Sequence, residues 1–386
     1  MFWPLEGLLV VDFSQFLAGP YAALRLQDMG ARVIKVENPT GGDLCRYHYL
    51  SDTRIGTDST LFHAINRGKE SVSIDLKTPA GLASAKQLIA KADVVIQNFR
   101  PNVMERLGLG YQAVRQIKPD VIYASITGYG SDGDWADLPG QDLLAQARSG
   151  IMWLSGNAGA GPVPVGLPIA DISTGANLAM GVLGALFRHA RTGQGALVET
   201  SLLESLTDMQ FELLTTYLNN AGNLPPRLQH GSAHRYLGAP YGVFETKQGY
   251  LALAMTRLDH LADALNVPQI AALATTDDAS FANRDAIHTL VAQRLKTQNA
   301  TDLETTLTQA GLWCAKVLTW DDMLANGSFQ ALNMLQSIHP AHMTASTPTQ
   351  LVRAPFRMDG HRPAINAIGP TLDENGAHIR REFDVK

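Results

Sequence analysis

The chain has 386 residues, 45% of them hydrophobic and 17% charged, which is typical of a soluble protein with two domains or one large one. The net charge of −5 argues against a nucleic-acid partner, and no apolar run approaches the roughly 20 residues of a membrane-spanning helix. Two cysteines, Cys45 and Cys314, are too few for a disulfide framework and lack metal-ligand spacing. With no basic leader, we expect a cytoplasmic protein without a metal site.

The first half of the chain alternates short apolar runs with helical spacing. The apolar runs predict strands at 8–13, 32–37, 71–75, 94–96, 121–127 and 196–200. Helices are predicted between them at 20–29, 80–92, 103–107 and 111–118. This alternation predicts a parallel, doubly wound α/β sheet with a ligand crevice at the carboxyl ends of its strands.

Glu37, at the end of the second predicted strand, is placed as in a dinucleotide-binding unit. The glycine fingerprint of such units is missing, however, because Gly19 is alone in the first turn. The sequence therefore argues against binding of NAD or FAD.

The loops that follow the predicted strands carry polar and charged side chains. They contribute Gln15 and Ala18, Lys77, Asn98 with Phe99 and Arg100, Arg106 on the next helix, and the stretch 128–130. The three cations among them suit phosphate groups, Arg through paired hydrogen bonds and Lys as a point charge. Taken one at a time, each is more typical of a solvated surface charge, but three cations on the same rim of the sheet favour a phosphate site.

Asp171 stands in an apolar stretch of small residues, at the start of a helix predicted from about 172 to 189. It has two interpretations, which are compatible. In the first, Asp171 is the helix N-cap and accepts from the amide of Ser173 or Thr174. In the second, it is a nucleophile of the kind carboxylates provide in covalent catalysis.

The second half of the chain changes character. A helix is predicted at 202–219, followed by a hairpin at 241–244 and 250–254 and by helices near 257–265, 281–297 and 301–311. These elements predict a smaller α+β domain. The segment 315–318 and the tail from 355 are predicted as connectors, with a short C-terminal helix at 379–383.

Several motifs in this order resemble the class III CoA-transferase family, which includes formyl-CoA transferase, carnitine CoA-transferase and α-methylacyl-CoA racemase. The matching stretches are 5–13 with 18–20, 29–37, 66–71 with 75–77, 98–101, 128–130, 166–175 and 239–242. Each motif is weak alone, but their order and spacing together are specific.

The resemblance implies a Rossmann-like large domain built from 1–202 and 326–386. It further implies a linker helix at 203–227, a small α+β domain at 228–305 and a return linker at 306–325. Two such chains are expected to interlock like rings in a homodimer. Coenzyme A would be a co-substrate, acyl-CoA and small carboxylic acids the reactants, and no cofactor would be tightly bound.

The resemblance also assigns roles to residues of this chain. Asp171 would be the catalytic nucleophile. The implied CoA contacts are Phe16, Ala18, Lys77, Asn98, Phe99, Arg100 and Arg106. Candidates for active-site support are Gln15, Gly130, Gln141, Asp142, His234 and Gly238. Backbone amides near Gly130 or in the Gly238 loop are candidates to stabilise the oxyanion that develops during attack on the thioester. Alternatives stay open for two of these, since Asp142 is also a fitting cap for the helix that follows it, and His234 a structural histidine.

The implied chemistry transfers CoA between acids through an aspartyl anhydride and an aspartyl-CoA thioester. The racemase branch would instead move the proton α to the thioester, using the aspartate and a histidine. Gln141 stands where that histidine is expected, and an amide cannot shuttle a proton near neutral pH. A third hypothesis is a CoA-binding or nucleotide-binding regulatory protein in which Asp171 only caps its helix.

The sequence does not identify the substrate acids. A pocket formed near 15–17, 46–49, Met152, Trp153 and 234–241 is expected to select them. Arg46, His48 and Arg235 are candidates to hold the second carboxylate of a dicarboxylic acid.

Overall fold

The structure is a computed structural model that describes residues 3–47, 53–231, 233–339 and 348–385. Its Cα positions form two compact units. The first contains Met1–Arg148, Gly166–Met209 and Leu332–Lys386, and the second contains Ser149–Val165 and Gln210–Ala331. The segment 149–165 falls in the second unit of this division, and the domain bounds given above stay predictions. The linker boundaries implied by the family resemblance stay predictions.

The first unit contains ten strands and nine helices among the described residues. The strands are β1 (Leu9–Asp12), β2 (Arg32–Glu37), β3 (Arg54–Ile55), β4 (Asp58–Ser59), β5 (Glu70–Ser73), β6 (Val94–Gln97), β7 (Ile122–Thr127), β8 (Ala196–Ser201), β12 (Leu335–Ile338) and β13 (Thr349–Val352). The helices are α1 (Ala18–Asp28), α2 (Thr60–Asn66), α3 (Pro79–Ile89), α4 (Val103–Arg106), α5 (Tyr111–Ile117), α6 (Asp142–Ser149), α7 (Ile169–Thr192), α8 (Leu202–Met209) and α17 (Gly376–Glu382).

Six of these strands form one parallel sheet in the order β5-β2-β1-β6-β7-β8. If its strands are numbered along the chain, their spatial order is 3-2-1-4-5-6, which is the Rossmann order. The order reverses between β1 and β6, so the ligand crevice is expected outside the carboxyl ends of these two strands. The prediction of an α/β fold with a parallel sheet is confirmed.

Both faces of the sheet are buried. Val11 and Val95 share one core cluster with Leu88 of α3, while Val10 and Val94, which point to the opposite face, are also buried. Near-continuous apolar strands of this kind need cover on both sides. Helices α1 and α7 supply much of it, since they pack against each other and contact β1 and β7.

Gly175 allows α7 to lie directly against α1. A Cβ atom at this position would stand 2.5 Å from the carbonyl oxygen of Ala18, which no larger residue tolerates without a backbone shift. The N-terminal turns of α7, which carry Asp171, therefore lie beside the loop that follows β1.

Helix α7 is longer than predicted, because it begins at Ile169 and runs to Thr192. By length and composition alone it could cross a membrane, so the expectation that no apolar stretch reaches that length was wrong. Its Leu178 and Val182 are buried, as in a core helix of a folded domain.

The second unit is an α+β arrangement. Its strands are β9 (Gly242–Glu245), β10 (Tyr250–Leu253) and β11 (Cys314–Lys316), and its helices are α9 (Phe211–Asn219), α10 (Leu258–Leu265), α11 (Gln269–Leu273), α12 (Asp277–Ala282), α13 (Arg284–Leu295), α14 (Ala300–Gln309), α15 (Trp320–Ala325) and α16 (Gly327–Leu332). The predicted hairpin is confirmed as β9 and β10. Two expectations were wrong. The 314–316 stretch is a strand paired with β10 rather than a connector, and the helix expected at 202–219 is broken at Gln210.

Candidate active site

Asp171 lies in the first turn of α7, but it is not the residue that caps this helix. The backbone N–H groups of Ala170 and Asp171 donate to Oδ1 of Asp142, at 2.7 and 3.1 Å. The hydroxyls of Ser173 and Thr174 donate to carbonyl oxygens of the preceding turn. The cap interpretation of Asp171 was therefore wrong, because Asp142 performs this role.

The Asp171 carboxyl group is half-buried and accepts no hydrogen bond from the residues that the structure describes. Its pKa is raised to about 7, first by desolvation and then by the negative charge of Asp142. A carboxylate that is neither hydrogen-bonded nor fully solvated is a stronger nucleophile than one in water. Its environment suits attack on a carbonyl carbon.

Asp142 is the first residue of α6, which follows a tightly closed loop after β7. Its side chain contacts the first turn of α7. The backbones of Gly128 and Gly140 touch at the neck of this loop, where a Cβ atom on Gly128 would stand 2.6 Å from the Cα of Gly140. The second carboxylate oxygen of Asp142 accepts from Nε2 of Gln146 at 2.6 Å. The side chain of Gln141 is exposed.

Gly130, suggested above as active-site support, has its amide already engaged. Its N–H donates to Oγ1 of Thr127 at 2.9 Å, and its φ of 92° lies in the left-handed region that glycine tolerates. This N–H is thus not free to stabilise an oxyanion in the conformation described.

The loops after β1 and β6 meet where the strand order reverses. The side chain of Asn98 accepts from the N–H of Gln15 at 2.8 Å and donates to its carbonyl oxygen at 2.7 Å. Asn98, expected to contact CoA, therefore has its amide engaged in holding the Gln15 loop. Phe16 is 43% exposed, whereas Ala18 is buried and Phe99 packs partly against the core.

Lys77, Arg100 and Arg106 are exposed on the first unit. Lys77 follows β5 and Arg100 follows β6, so both lie at the carboxyl edge of the sheet. Within the described ranges, none of the three forms an ion pair with a carboxylate. Unpaired cations at this edge suit an anionic ligand such as a phosphorylated cofactor. No group of three or more His, Cys, Asp or Glu side chains in the described part of the chain is arranged to hold a metal ion.

His234 and Gly238 belong to the second unit. Nδ1 of His234 accepts from the N–H of Tyr236 at 3.2 Å, and its ring lies edge-on to that of Tyr241. Gly238 lines a pocket together with Leu237, Met255, Asp278 and Phe281. Their supporting role in catalysis stays a prediction.

Both arginines suggested for a second substrate carboxylate are engaged elsewhere. Arg46 is 2% exposed, pairs with Glu37 and Asp58, and lies 3.7 Å above the ring of Phe62, so its suggested role was wrong. Arg235 donates to the carbonyl oxygens of Pro225 and Trp153. His48 lies outside the described residues.

The sequence analysis missed a buried group of charges next to the Gln15 loop. Asp12 pairs with Lys69 at 2.9 Å, and Lys35 pairs with Asp43 at 2.8 Å, with all four side chains fully buried. A signal was present, because Asp12 and Lys35 interrupt apolar strand runs where a charge is costly unless paired.

Comparison with known proteins identifies the family of this chain. The sequence profile described as CoA-transferase family III matches residues 5–376. The succinate–glutarate CoA-transferase of Agrobacterium fabrum is 33% identical, with 99% of this chain and 96% of the relative covered. The acetyl-CoA:oxalate CoA-transferase of Acetobacter aceti is 32% identical, with 98% and 96% covered.

A solved structure supports the same assignment. The crystal structure of a CaiB/BaiF family protein from Brucella suis superposes with a TM-score of 0.85 at 33% identity, with 100% of each chain covered. The chain therefore belongs to CoA-transferase family III, the class III CoA-transferases.

Proposed function

We propose that this enzyme transfers CoA from an acyl-CoA thioester to an acceptor carboxylic acid through covalent intermediates on Asp171. The observation that carries the proposal is the state of the Asp171 carboxyl group. It is half-buried and has no hydrogen-bond donor among the described residues, while Asp142 caps its helix. A carboxylate without a structural task is available for chemistry.

In the first half-reaction, a carboxylate oxygen of Asp171 attacks the thioester carbonyl carbon of the donor. The C–S bond breaks, which leaves a mixed anhydride and a CoA thiolate. The thiolate then attacks the Asp171 carbonyl carbon, forming an aspartyl-CoA thioester and releasing the donor acid as its carboxylate. Each step replaces one activated acyl bond by another, so that a free acid never has to condense with the CoA thiol unaided.

In the second half-reaction, the acceptor carboxylate attacks the carbonyl carbon of the aspartyl-CoA thioester. A new anhydride forms and the CoA thiolate leaves again. The thiolate attacks the acceptor's acyl carbon, which releases the new thioester and restores the Asp171 carboxylate. No proton is gained or lost overall, but water must be kept out because it hydrolyses the anhydride.

We assign the CoA phosphates to the carboxyl edge of the sheet, with Lys77, Arg100 and Arg106 as their partners. The support is the exposure of these three cations and the lack of a carboxylate partner for each among the described residues. The place agrees with the general position of ligands in open α/β sheets.

For the substrates, we propose that at least one of the two acids is a dicarboxylic acid. The relatives named above act, by their names, on succinate, glutarate and oxalate, which are all dicarboxylic acids. The racemase alternative has no support among these relatives, and Gln141 cannot replace the histidine it would require.

We further propose a homodimer, interlocked as the family resemblance implies. Both units expose large apolar side chains, among them Phe187 in the first unit and Trp320 in the second, which are 67% and 83% exposed. Exposed apolar surface of this kind is typical of an association site. Light scattering coupled to size-exclusion chromatography gives the mass, and a monomer would contradict the proposal.

The transferase activity is tested with succinyl-CoA and a panel of acceptors that includes glutarate, oxalate and acetate. Liquid chromatography is expected to show a new acyl-CoA that forms with the wild type and not with Asp171→Asn. Exchange of the α-proton of a 2-methylacyl-CoA with deuterated water, without an acceptor acid, would favour the racemase instead.

A further inference from the structure

Asp12, Lys35, Asp43 and Lys69 form a buried charge group beneath the loop that follows β1. Their side chains are 0% exposed and pair as Lys35 with Asp43 and Lys69 with Asp12. Buried ion pairs of this kind add little to stability compared with apolar residues of the same volume. Stability alone therefore does not explain these charges. Another explanation is that they specify one local conformation of the chain.

This charge group holds the backbone of the loop. Asp12 Oδ1 accepts from the N–H of Ser14 at 2.9 Å, and Lys35 Nζ donates to the carbonyl oxygen of Ser14 at 2.7 Å. Asp43 Oδ1 accepts from the N–H of Phe16 at 3.1 Å. Together with the two bonds between Asn98 and Gln15, five consecutive backbone groups of the loop are bonded to side chains of residues outside 14–17.

Phe16 has an unfavourable backbone conformation for its residue type. Its φ is 63°, in the left-handed region that bulky side chains avoid, and the residue is 43% exposed. Burial of the ring in the core cannot explain this conformation. Backbone strain that the surroundings maintain at an exposed residue points to a function.

The loop lies beside the helix that carries Asp171. Leu17 and Ile172 pack in the same apolar cluster, and Gly175 lets α7 approach Ala18. The loop also lies at the reversal of strand order, where a ligand is expected.

We propose that Lys35 and Asp43 are positioning residues, which hold the loop 14–17 so that the exposed ring of Phe16 contacts acyl-CoA beside Asp171. Neither touches the substrate. The proposal rests on the proposed function and extends it, because it assigns a task to two buried charges outside the reacting groups.

The variant Asp43→Asn tests this positioning. Oδ1 of Asp43 accepts from the N–H groups of Phe16 and Cys45, and Oδ2 forms the ion pair with Lys35. An amide has one oxygen, so its NH2 group must face either the backbone N–H groups or Lys35. If the loop then holds its binding conformation about a tenth of the time, the Kd for CoA measured by calorimetry rises about ten-fold.

The matched control is Asp28→Asn, which breaks the buried ion pair of Asp28 with Arg67 at the other end of α1. Both variants are expected to unfold at a lower temperature than the wild type, because each leaves a buried cation without its partner. Only Asp43→Asn is expected to weaken CoA binding. Equal CoA affinity in the two variants and the wild type would overturn the proposal.

A second pair of variants tests the conformation of Phe16 itself. Phe16→Gly is expected to unfold at a higher temperature than Phe16→Ala, because only glycine adopts a φ of 63° without strain. The opposite order would overturn the proposal even if Asp43→Asn does not fold. A wild type that binds CoA but transfers it to no acid would contradict the proposed function only. The CoA affinities of the wild type, Asp43→Asn and Asp28→Asn would still decide whether Asp43 positions the loop.

Discussion

Oδ1 of Asp142 accepts the backbone N–H of Asp171 at 3.1 Å, so one carboxylate holds the backbone of the other. This contact has two effects. It caps α7, which leaves the side chain of Asp171 free, and it brings a negative charge close enough to raise the pKa of Asp171. The charge of Asp142 opposes ionisation of the nucleophile, while its hydrogen bonds fix the position of that nucleophile.

Asp171→Asn is expected to abolish transfer, with a loss of at least about a thousand-fold in kcat, because the amide cannot form the anhydride. The variant should remain folded and unfold at a higher temperature than the wild type at pH 8, where the wild type holds an ionised, partly desolvated carboxylate. Calorimetry measures the unfolding temperature. A variant that retains activity would contradict the role of Asp171.

The same carboxyl group predicts a pH dependence of stability. Its pKa is about 7 in the folded chain and near the ordinary 3.8 when unfolded, so the folded state binds more protons between these values. The wild type therefore loses stability relative to Asp171→Asn as the pH rises from about 4 to 7. A difference in unfolding temperature that is constant across this range would be inconsistent with the raised pKa.

The activity is expected to follow the ionisation of Asp171. Because the nucleophile is the carboxylate, kcat/KM for the acyl-CoA should rise with pH and level off above about 7. Asp142→Asn keeps an oxygen for the two N–H groups and removes the charge, so the pKa of Asp171 falls and the rise moves to lower pH. An unchanged profile would show that Asp142 does not act on Asp171 electrostatically.

Asp142→Ala separates the cap from the charge. It removes the acceptor for the N–H groups of Ala170 and Asp171, which should lower the free energy of unfolding by about 0.5–2 kcal/mol. Asp142→Asn should lose less, because its side-chain oxygen still caps the helix. Denaturant unfolding of the two variants measures this difference, and equal losses would argue against the cap.

Replacing Lys77, Arg100 or Arg106 by Ala is expected to raise KM for the acyl-CoA by roughly 3–30-fold and to leave kcat nearly unchanged. The effect should shrink at high salt, because these charges are exposed. Lys91 is a matched control, since it is exposed and precedes β6, at the opposite edge of the sheet. If Lys91→Ala raises KM equally, the proposed phosphate site is wrong.

The parallel sheet could be predicted because its strands are local apolar runs. The strand at 32–37 has the predicted bounds, and the hairpin of β9 and β10 follows from alternation around a glycine turn. Breaks within helices are harder to predict. The helix is interrupted at Gln210, although the helical pattern of the sequence continues through this residue.

The site could be predicted only in part, because its key contacts join residues far apart in the chain. The cap of α7 comes from Asp142, 29 positions before Asp171, and local capping rules consider only nearby side chains. The pairing of Arg46 with Glu37 and Asp58, which removes it as a substrate ligand, joins side chains that no local sequence pattern connects. The left-handed conformation of Phe16 leaves no mark in the sequence.

The central claim is that Asp171 becomes covalently bonded in turn to an acyl group and to CoA. The most direct measurement is mass spectrometry of the enzyme after incubation with succinyl-CoA and treatment with hydroxylamine, which attacks anhydrides and thioesters. A hydroxamate on the Asp171 side chain, absent without the thioester, is the expected result. An unmodified Asp171 in an enzyme that turns over the same succinyl-CoA would contradict the mechanism.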